Sequence, residues 1–369
     1  MKISFQNAFF TLAFIAILIA FLVVAKSILI PLGIALLLAF ILFPVHKKFM
    51  SWGIGNILAA FFSILLLIII IGGGITFFSA EIIALSDEIS NFGKKLTKLS
   101  TDVIVFVNKN VSLVDDLEKD QLLKDLKSWF KDSAGSLLGG TFNSTANFFT
   151  GLVTVIIYMF LFLIYHKGLV RAFMKFSPED KKQQFFKMLK GVQQVGQKYL
   201  SGMLILIIIL GFANSIGLWI IGIDSPFLFG FLAASLSIIP YIGTTLGATI
   251  PVLYAFMSHD SLFMPLAVAI LFWAVQLIES NFLSPKVVGN SVNVNAFAAI
   301  LSLIIGASIW GVAGMVLFLP FAAMLKVICE EYEPLQPLAL LIGNTNFQDR
   351  DINKEGLFTR IKRKIRSIK

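Results

Sequence analysis

The sequence predicts an all-α, polytopic integral membrane protein with about eight transmembrane helices, a broken or re-entrant element among them, and a helical segment outside the bilayer. Three observations carry this. Of 369 residues, 57% are apolar or aromatic and only 14% are charged, where a soluble domain carries roughly a quarter charged residues to cover its surface. The mean hydropathy is +0.89. Repeated apolar runs are long enough to cross a hydrocarbon core of about 30 Å at about 1.5 Å per residue. The net charge of +9 would suggest a nucleic-acid partner in a soluble protein. In a membrane chain it reports which loops face the cytoplasm, and no nucleic acid is expected. The one cysteine, Cys329, can form no internal disulfide and no thiolate metal site by itself, so neither metal nor cofactor is expected.

The elements follow in order. Residues 1–80 hold the first three spans. Ala8–Ala25 and Ile28–Phe43 are separated only by Lys26 and Ser27, which predicts a tight helical hairpin with Lys26 snorkelling to the headgroups. A cleaved signal peptide is the rival reading of the first run, but no clear small-x-small cleavage site follows it. Lys47 and Lys48 mark an aqueous end. The third span, about Ile54 to Phe78, contains Gly72, Gly73 and Gly74, which would weaken a helix or admit a neighbouring backbone. Residues 81–147 form the extracytoplasmic segment. Within it Leu85, Ile89, Phe92, Leu96, Leu99, Val103 and Phe106 alternate steps of four and three, the seam of a helix that meets another helix. Leu113, Leu117, Leu122, Leu126 and Phe130 would supply that partner within the chain, or a neighbouring copy would, making a homo-oligomer.

Residues 148–328 hold the remaining five spans. After the fourth, near Phe148–Tyr165, residues 167–198 carry eight basic side chains against Glu179 and Asp180, a cytoplasmic label. Apolar stretches follow at Leu200–Ile221, Phe227–Ile239 with a Gly/Pro-rich continuation to about Met257, Leu262–Leu283 and Ala296–Ile328, the last read as one span. Residues 329–369 form a polar, basic tail. Placing Lys47/Lys48, the 167–198 loop and the tail on one side requires an even number of crossings between each, which eight spans satisfy. Both termini are then expected in the cytoplasm of a cell, inner or plasma membrane.

Ionised groups inside an apolar run cost at least about 2.5 kcal/mol and so ask for an explanation. Glu279 lies late in such a run, three residues after Gln276 and on the same helix face. It either faces a pathway, or sits at the interfacial end of the span where it is solvated or pairs locally with Lys286. The second site is Pro240 to Pro251. Prolines at both ends, with Gly243 and Gly247 between them, break a run that could otherwise be one helix. Unwound backbone at membrane depth is tolerated where protein buries it or water lines it. A kinked helix whose Gly243/Gly247 pair packs closely is the alternative. Asn214 and Ser215 are expected to bond across helices. His46, His166 and His259 lie near span ends without metal-ligand spacing. No nucleophile–base pair, aspartate pair or histidine metal motif is placed at membrane depth, and no Walker or dinucleotide fingerprint occurs, so an enzyme or ATP-driven pump is not expected.

The carboxy-terminal half resembles the autoinducer-2 exporter family of permeases. The resemblance lies in Ser237-Ile238-Ile239-Pro240-Tyr241-Ile242-Gly243 continuing to Gly247 and Pro251, in Gln276-Leu277-Ile278-Glu279-Ser280-Asn281 followed by Pro285-Lys286-Val287-Val288-Gly289, and in Gly306 with Gly311-Val312-Ala313-Gly314 and Pro320-Phe321-Ala322-Ala323. Ser280 and Asn293-Val294-Asn295 depart from the family's usual blocks. The resemblance implies eight helices with both termini cytoplasmic, a large exposed segment after the third span, and secondary transport. Family members are linked to autoinducer-2 export or to sodium–proton antiport.

Together these readings give a gradient-coupled exporter of a small hydrophilic solute. Its path is expected along Pro240, Gly243, Gly247, Pro251, Gln276, Glu279 and Asn281, with Glu279 linked to a proton or cation. Pro285, Gly289, Gly306, Gly311, Gly314 and Pro320 are expected to serve packing. The rival readings are a sodium–proton antiporter and a non-transporting scaffold that binds partners through the exposed helices. The lipid bilayer is the surrounding partner in all three.

Overall fold

The computed structural model describes residues 5–79, 81, 141–239, 242–258, 261, 263–289 and 294–343. The predicted seam at Leu85–Phe106, its partner Leu113–Phe130, most of the 81–147 segment, Pro240, His259 and the tail beyond Gly343 lie outside these residues. Every regular element among the described residues is helical, apart from an isolated bridge between Val294 and Gly343, and the fold is that of an all-α polytopic membrane protein.

The helices are α1 (Phe5–Val24), α2 (Lys26–Ser51), α3 (Asn56–Ser79), α4 (Thr141–Met174), α5 (Lys182–Ile221), α6 (Pro226–Leu236), α7 (Ile242–Ser258), α8 (Phe263–Ile278), α9 (Ala296–Trp310), α10 (Val312–Glu331) and the short α11 (Gln336–Ile342). Two π-helical stretches, Glu279–Leu283 and Pro285–Gly289, extend α8. Six of the helices, with α8 taken to Val287, are long and apolar enough to cross a bilayer. Many of their large apolar side chains point outward, among them Phe61, Ile70, Ile157, Ile208, Ile220 and Trp273. Such an exterior is stable against hydrocarbon and costly against water.

Three apolar clusters hold the bundle. Ala35, Ala39 and Leu42 of α2 pack with Ala60 and Ile64 of α3 and Val155, Met159 and Leu163 of α4. Leu37 joins Tyr199 to Leu210 of α5, Ala234 of α6, and Leu317 and Met324 of α10. Leu218 of α5, Phe229 and Ala233 of α6, Tyr254 and Ala255 of α7, and Val268 and Phe272 of α8 form the third.

Two helical hairpins set the shape of the second half. α6 and α7 run antiparallel, with Ala233 against Gly247 and Phe229 stacked on Tyr254. At about 1.5 Å per residue the 11 residues of α6 reach roughly 16 Å, about half the hydrocarbon thickness. The run Ala296–Ile328, expected as one span, is instead a second hairpin. α9 stops at Trp310, Gly311 takes φ +61°, and the chain turns back so that Gly306 and Gly314, eight residues apart, meet backbone to backbone. A φ in the left-handed region is open to glycine at little cost, and only glycines allow that contact. Gly306, Gly314 and Pro320 are buried.

Two smaller expectations also change. α1 barely touches α2. It is held at its end, where the Trp310 indole donates to the Leu22 carbonyl at 2.9 Å, so the two first helices are not a packed hairpin. α3 runs unbroken through Gly72, Gly73 and Gly74, and none of the described atoms lies within 4 Å of where a Cβ would stand on any of them.

The basic residues gather at one end of the bundle. His46 Nε2 meets Asn56 Oδ1 at 3.1 Å, and the Asn56 amide donates to the Ile164 carbonyl. This joins the α2–α3 turn beside Lys47 and Lys48 to the end of α4 beside Lys167. Lys187 pairs with Glu331 at 3.3 Å, and Gln184 donates to the Glu331 carbonyl, bringing the 167–198 loop to the end of α10. Phe40 and Met324 both meet Gly196, which puts the two junctions at the same end.

Candidate functional site: a polar chamber and groove between α5, α6, α7 and α8

Of the residues expected in a pathway, Gln276 and Glu279 are brought together. They line one small chamber with Asn214 of α5, Ser237 at the end of α6 and Thr244 of α7, closed by Leu210, Ala233, Ala234, Phe272 and Val275. The chamber's volume is about 20 Å³, room for about one water molecule. Thr244, Phe272 and Gln276 also line a wider, open groove of about 370 Å³ between α7 and α8, whose other polar residues are Thr245, Thr249 and Trp273. Chamber and groove are thus neighbours across three shared side chains.

The local sequence explains how each group comes to be there. α8 carries its apolar face through Val268, Phe272 and Val275, and Glu279, about 24 Å along from Phe263, falls on the same stripe. Beyond it the helix widens to π geometry. The Ser284 N–H reaches back five residues to the Glu279 carbonyl. π turns within α-helices frequently mark functional positions. Glu279 is 9% exposed, so it is not the solvated interfacial residue of the rival expectation. Lys286 is exposed, and among the described residues no basic group lies within ion-pair distance of the carboxylate.

Asn214 is 4% exposed, and its Oδ1 has no hydrogen-bond partner among the described residues. It therefore does not bond across helices as expected. An unpaired buried amide oxygen costs about 1–3 kcal/mol. Ser215 beside it donates to the Gly211 carbonyl at 2.6 Å, and Gly230 of α6 packs directly on it. Ser237 donates its hydroxyl hydrogen to the Ala234 carbonyl at 2.6 Å, as Thr249 does to Thr245 at 2.8 Å. The oxygens of these two hydroxyls are left with lone pairs and no hydrogen to offer.

The other expected residues have different places. Gly243 and Gly247 form the seam of the α6–α7 hairpin: Gly243 abuts the Leu236 carbonyl, and a Cβ on Gly247 would stand 2.9 Å from the Ala233 Cα. They build the site's wall by close packing and do not line its space. Pro251 is buried within α7, where it cannot donate to the Gly247 carbonyl four residues back. Asn281 is exposed and spends its amide on the Leu277 carbonyl at 2.8 Å, so it does not share the face of Gln276 and Glu279. Pro285 is exposed, and Gly289 ends the second π stretch. Asn214, Ser237 and Thr244 are the site residues that sequence reasoning missed. The signal for Asn214 was an amide inside an apolar run, the same signal that singled out Glu279.

Among the described residues no cluster of three or more metal-ligating His, Cys, Asp or Glu side chains occurs. What the arrangement offers is a single carboxylate and several oxygen acceptors inside an apolar bundle, next to a groove that can admit a small molecule.

Comparison with known proteins agrees with a transport role. The chain is 26% identical to "Putative transport protein YrrI" of Bacillus subtilis over 314 residues, 84% of this chain and 87% of that one. It is 23% identical to a Borreliella burgdorferi protein named in the same way, over 92% of this chain and 91% of that one. A shorter match, 29% identical over 120 residues and 32% of this chain, is to the "AI-2 transport protein TqsA" of Escherichia coli, 35% of which it covers. Residues 11–334 match the AI-2E family transporter profile, and the chain belongs to that family of membrane transporters.

Proposed function

We propose that this protein is a gradient-coupled permease that exports a small hydrophilic solute of the autoinducer-2 type through the α7–α8 groove, with its basic end in the cytoplasm. The observation that carries the reading is the convergence of Asn214, Ser237, Thr244, Gln276 and Glu279, from four elements, on a chamber and a neighbouring groove inside an otherwise apolar bundle. A helix bundle that serves only as an anchor has no use for them, because each polar group placed there lowers its stability. The groove's hydroxyls and the Gln276 amide suit a solute rich in hydroxyl groups, and Trp273 offers an apolar face to the ring of a furanone. The family and the short match to a named autoinducer-2 transporter support the choice of solute class. The eight basic side chains of the 167–198 loop support the orientation.

The test is efflux from proteoliposomes loaded with an autoinducer-2 furanone. Wild-type protein is expected to accelerate loss of the furanone over protein-free vesicles. Gln276→Leu, which removes the amide shared by chamber and groove, is expected to slow it at least about tenfold while the protein elutes from size exclusion as wild type does. Efflux no faster than from empty vesicles would remove the reading.

A further inference from the structure

We infer that a cleft at the basic end of the bundle, between the start of α5 and the end of α10, binds the headgroup of a zwitterionic phospholipid that carries a primary ammonium. The cleft shares no residue with the chamber or the groove, so the inference stands apart from the permease reading.

The charges of the lining set the class of ligand. The cleft has a volume of about 290 Å³, close to the lower bound of about 300 Å³ for small-ligand sites. One wall comes from the chain that leads into α5 and from the first turns of that helix, the other from Glu331 to Pro334, and the charged groups on them are Lys181, Glu331 and Glu333. Glu331 is already paired with Lys187 at 3.3 Å, and its carbonyl accepts from Gln184 at 2.6 Å. That leaves Lys181 on one wall and Glu333 on the other, neither with an ion-pair partner among the described residues. A ligand with charge of one sign would meet its like on one wall. A zwitterion meets its opposite on both, with an ammonium toward Glu333 and a phosphate toward Lys181, and charge-assisted contacts of this kind are about twice as strong as neutral ones. Phe185 and Tyr332 supply ring faces for the ammonium, and the buried Met188 supplies an apolar floor for the methylenes beside it.

Depth and exposure select a lipid over a dissolved zwitterion. Gly196 of α5 abuts Phe40 of α2. From that contact both Met188 on α5 and Lys47 on α2 lie about 11 Å further toward the basic end. The cleft therefore sits at the level where Lys47 and Lys48 mark the border of the hydrocarbon. Of its lining rings, Phe176 is 84% exposed and Tyr332 56%. Rings left this bare are costly against water, whereas aromatic side chains are favoured among lipid headgroups. Because the two unpaired charges stand on different walls, an occupied cleft ties the loop after α4 to the chain that leads into the tail, beside the Lys187–Glu331 pair.

The experiment counts lipid on the intact chain. Purified full-length protein in detergent is titrated with phosphatidylethanolamine or with phosphatidylglycerol of the same acyl chains, and bound lipid is resolved by native mass spectrometry, beside Glu333→Gln, Lys181→Gln and Ser308→Ala. The last removes an exposed hydroxyl of α9 that takes no part in the cleft. Wild type is expected to bind the first phosphatidylethanolamine at least about tenfold tighter than phosphatidylglycerol, the effect of one hydrogen bond to a charged group. Glu333→Gln should erase that preference by weakening phosphatidylethanolamine alone. Lys181→Gln should weaken both lipids, and Ser308→Ala should change neither. Equal binding of the two lipids by wild type would overturn the inference, as would a preference that persists in Glu333→Gln or a Lys181→Gln chain that binds both lipids as wild type does. So would displacement of the lipid by free phosphoethanolamine at equal concentration, which would make the ligand a dissolved zwitterion.

Discussion

Adding one methyl group at Gly247 tests the architecture that makes the chamber. Gly247 lies where α7 crosses α6, and an alanine Cβ there would stand 2.9 Å from the Ala233 Cα, 3.0 Å from its carbonyl oxygen and 3.1 Å from its Cβ. Carbon atoms in favourable contact sit about 3.5–4.0 Å apart, so the helices must separate by roughly half an ångström to one ångström. None of the three atoms belongs to a flexible side chain that could swing away. Overpacking of this kind costs about 1–3 kcal/mol, and the upper half of that range is expected because the obstruction is mainly backbone. Gly74→Ala in α3 is the control. It meets nothing within 4 Å among the described atoms, and replacing glycine in a helix interior should stabilise by about 0.5–1 kcal/mol. The assay is reversible unfolding by SDS in mixed micelles, followed by tryptophan fluorescence. Gly247→Ala should unfold at lower detergent fraction than wild type and Gly74→Ala at equal or higher fraction. A Gly247→Ala protein as stable as Gly74→Ala would refute the close α6–α7 contact, and with it the rigid wall of the chamber.

The remaining predictions are independent of that contact. Trp310→Phe removes the indole bond to the Leu22 carbonyl at 2.9 Å, worth about 1 kcal/mol. Because little else holds α1, faster amide exchange should be confined to the last turn of α1 and the tip of the α9–α10 hairpin. Asn295→Ala removes the cap that accepts from the Ala298 N–H, and two amide bonds to the Leu341 and Gly343 carbonyls. A loss of about 1–2 kcal/mol is expected, seen as raised exchange at residues 336–343. Lys326→Met breaks the buried pair with Glu330 at 2.6 Å. Because Glu330 is half exposed and can be hydrated, the change should alter stability by less than about 1 kcal/mol, in contrast to a fully buried pair.

The sequence made some of this architecture plain and hid the rest for definable reasons. Interruption of the run at Pro240–Pro251 was visible because proline and glycine act on the backbone directly. The break at Gly311 was not, because no proline accompanies it and Gly-Val-Ala-Gly reads as an ordinary small-residue packing motif. Only the matched pair Gly306 and Gly314, astride a Trp-Gly step, hints at a reversal. Glu279 was found because a charge inside an apolar run is costly. Asn281 was grouped with it by nearness in the sequence, yet two residues along a helix turn a side chain about half-way round, and it lies exposed. Asn214 was weighed as an interhelical hydrogen bond because that is the usual use of asparagine in a membrane helix; its lack of a partner is a three-dimensional fact with no trace in the spacing. The widening to π geometry after Ile278 likewise has no simple periodic signature.

The expectation that the basic loop and the tail share one side is compatible with the hairpin layout for a reason that can be followed through the chain. An eight-span reading needs four crossings between the 167–198 loop and the tail. In the structure two of the four stretches, α6–α7 and α9–α10, are antiparallel hairpins, each of which comes back to the level from which it started. Asn295, at the head of α9, is bonded to Leu341 in the last turn of α11 and to Gly343 just after it, and Ile223, before α6, shares a cluster with Tyr254 and Val268. A hairpin adds an even number of crossings, two or none, so the parity between the basic loop and the tail rests on α5 and α8. Independently of any count, Lys187 reaches Glu331, which joins the basic loop to the start of the tail. The chamber lies between the two crossing helices and one returning hairpin, a position where a packed wall of small residues and a single helix-borne carboxylate can face each other. A chain of simple through-going helices would have had no helix end such as Ser237 to set beside Asn214 and Glu279.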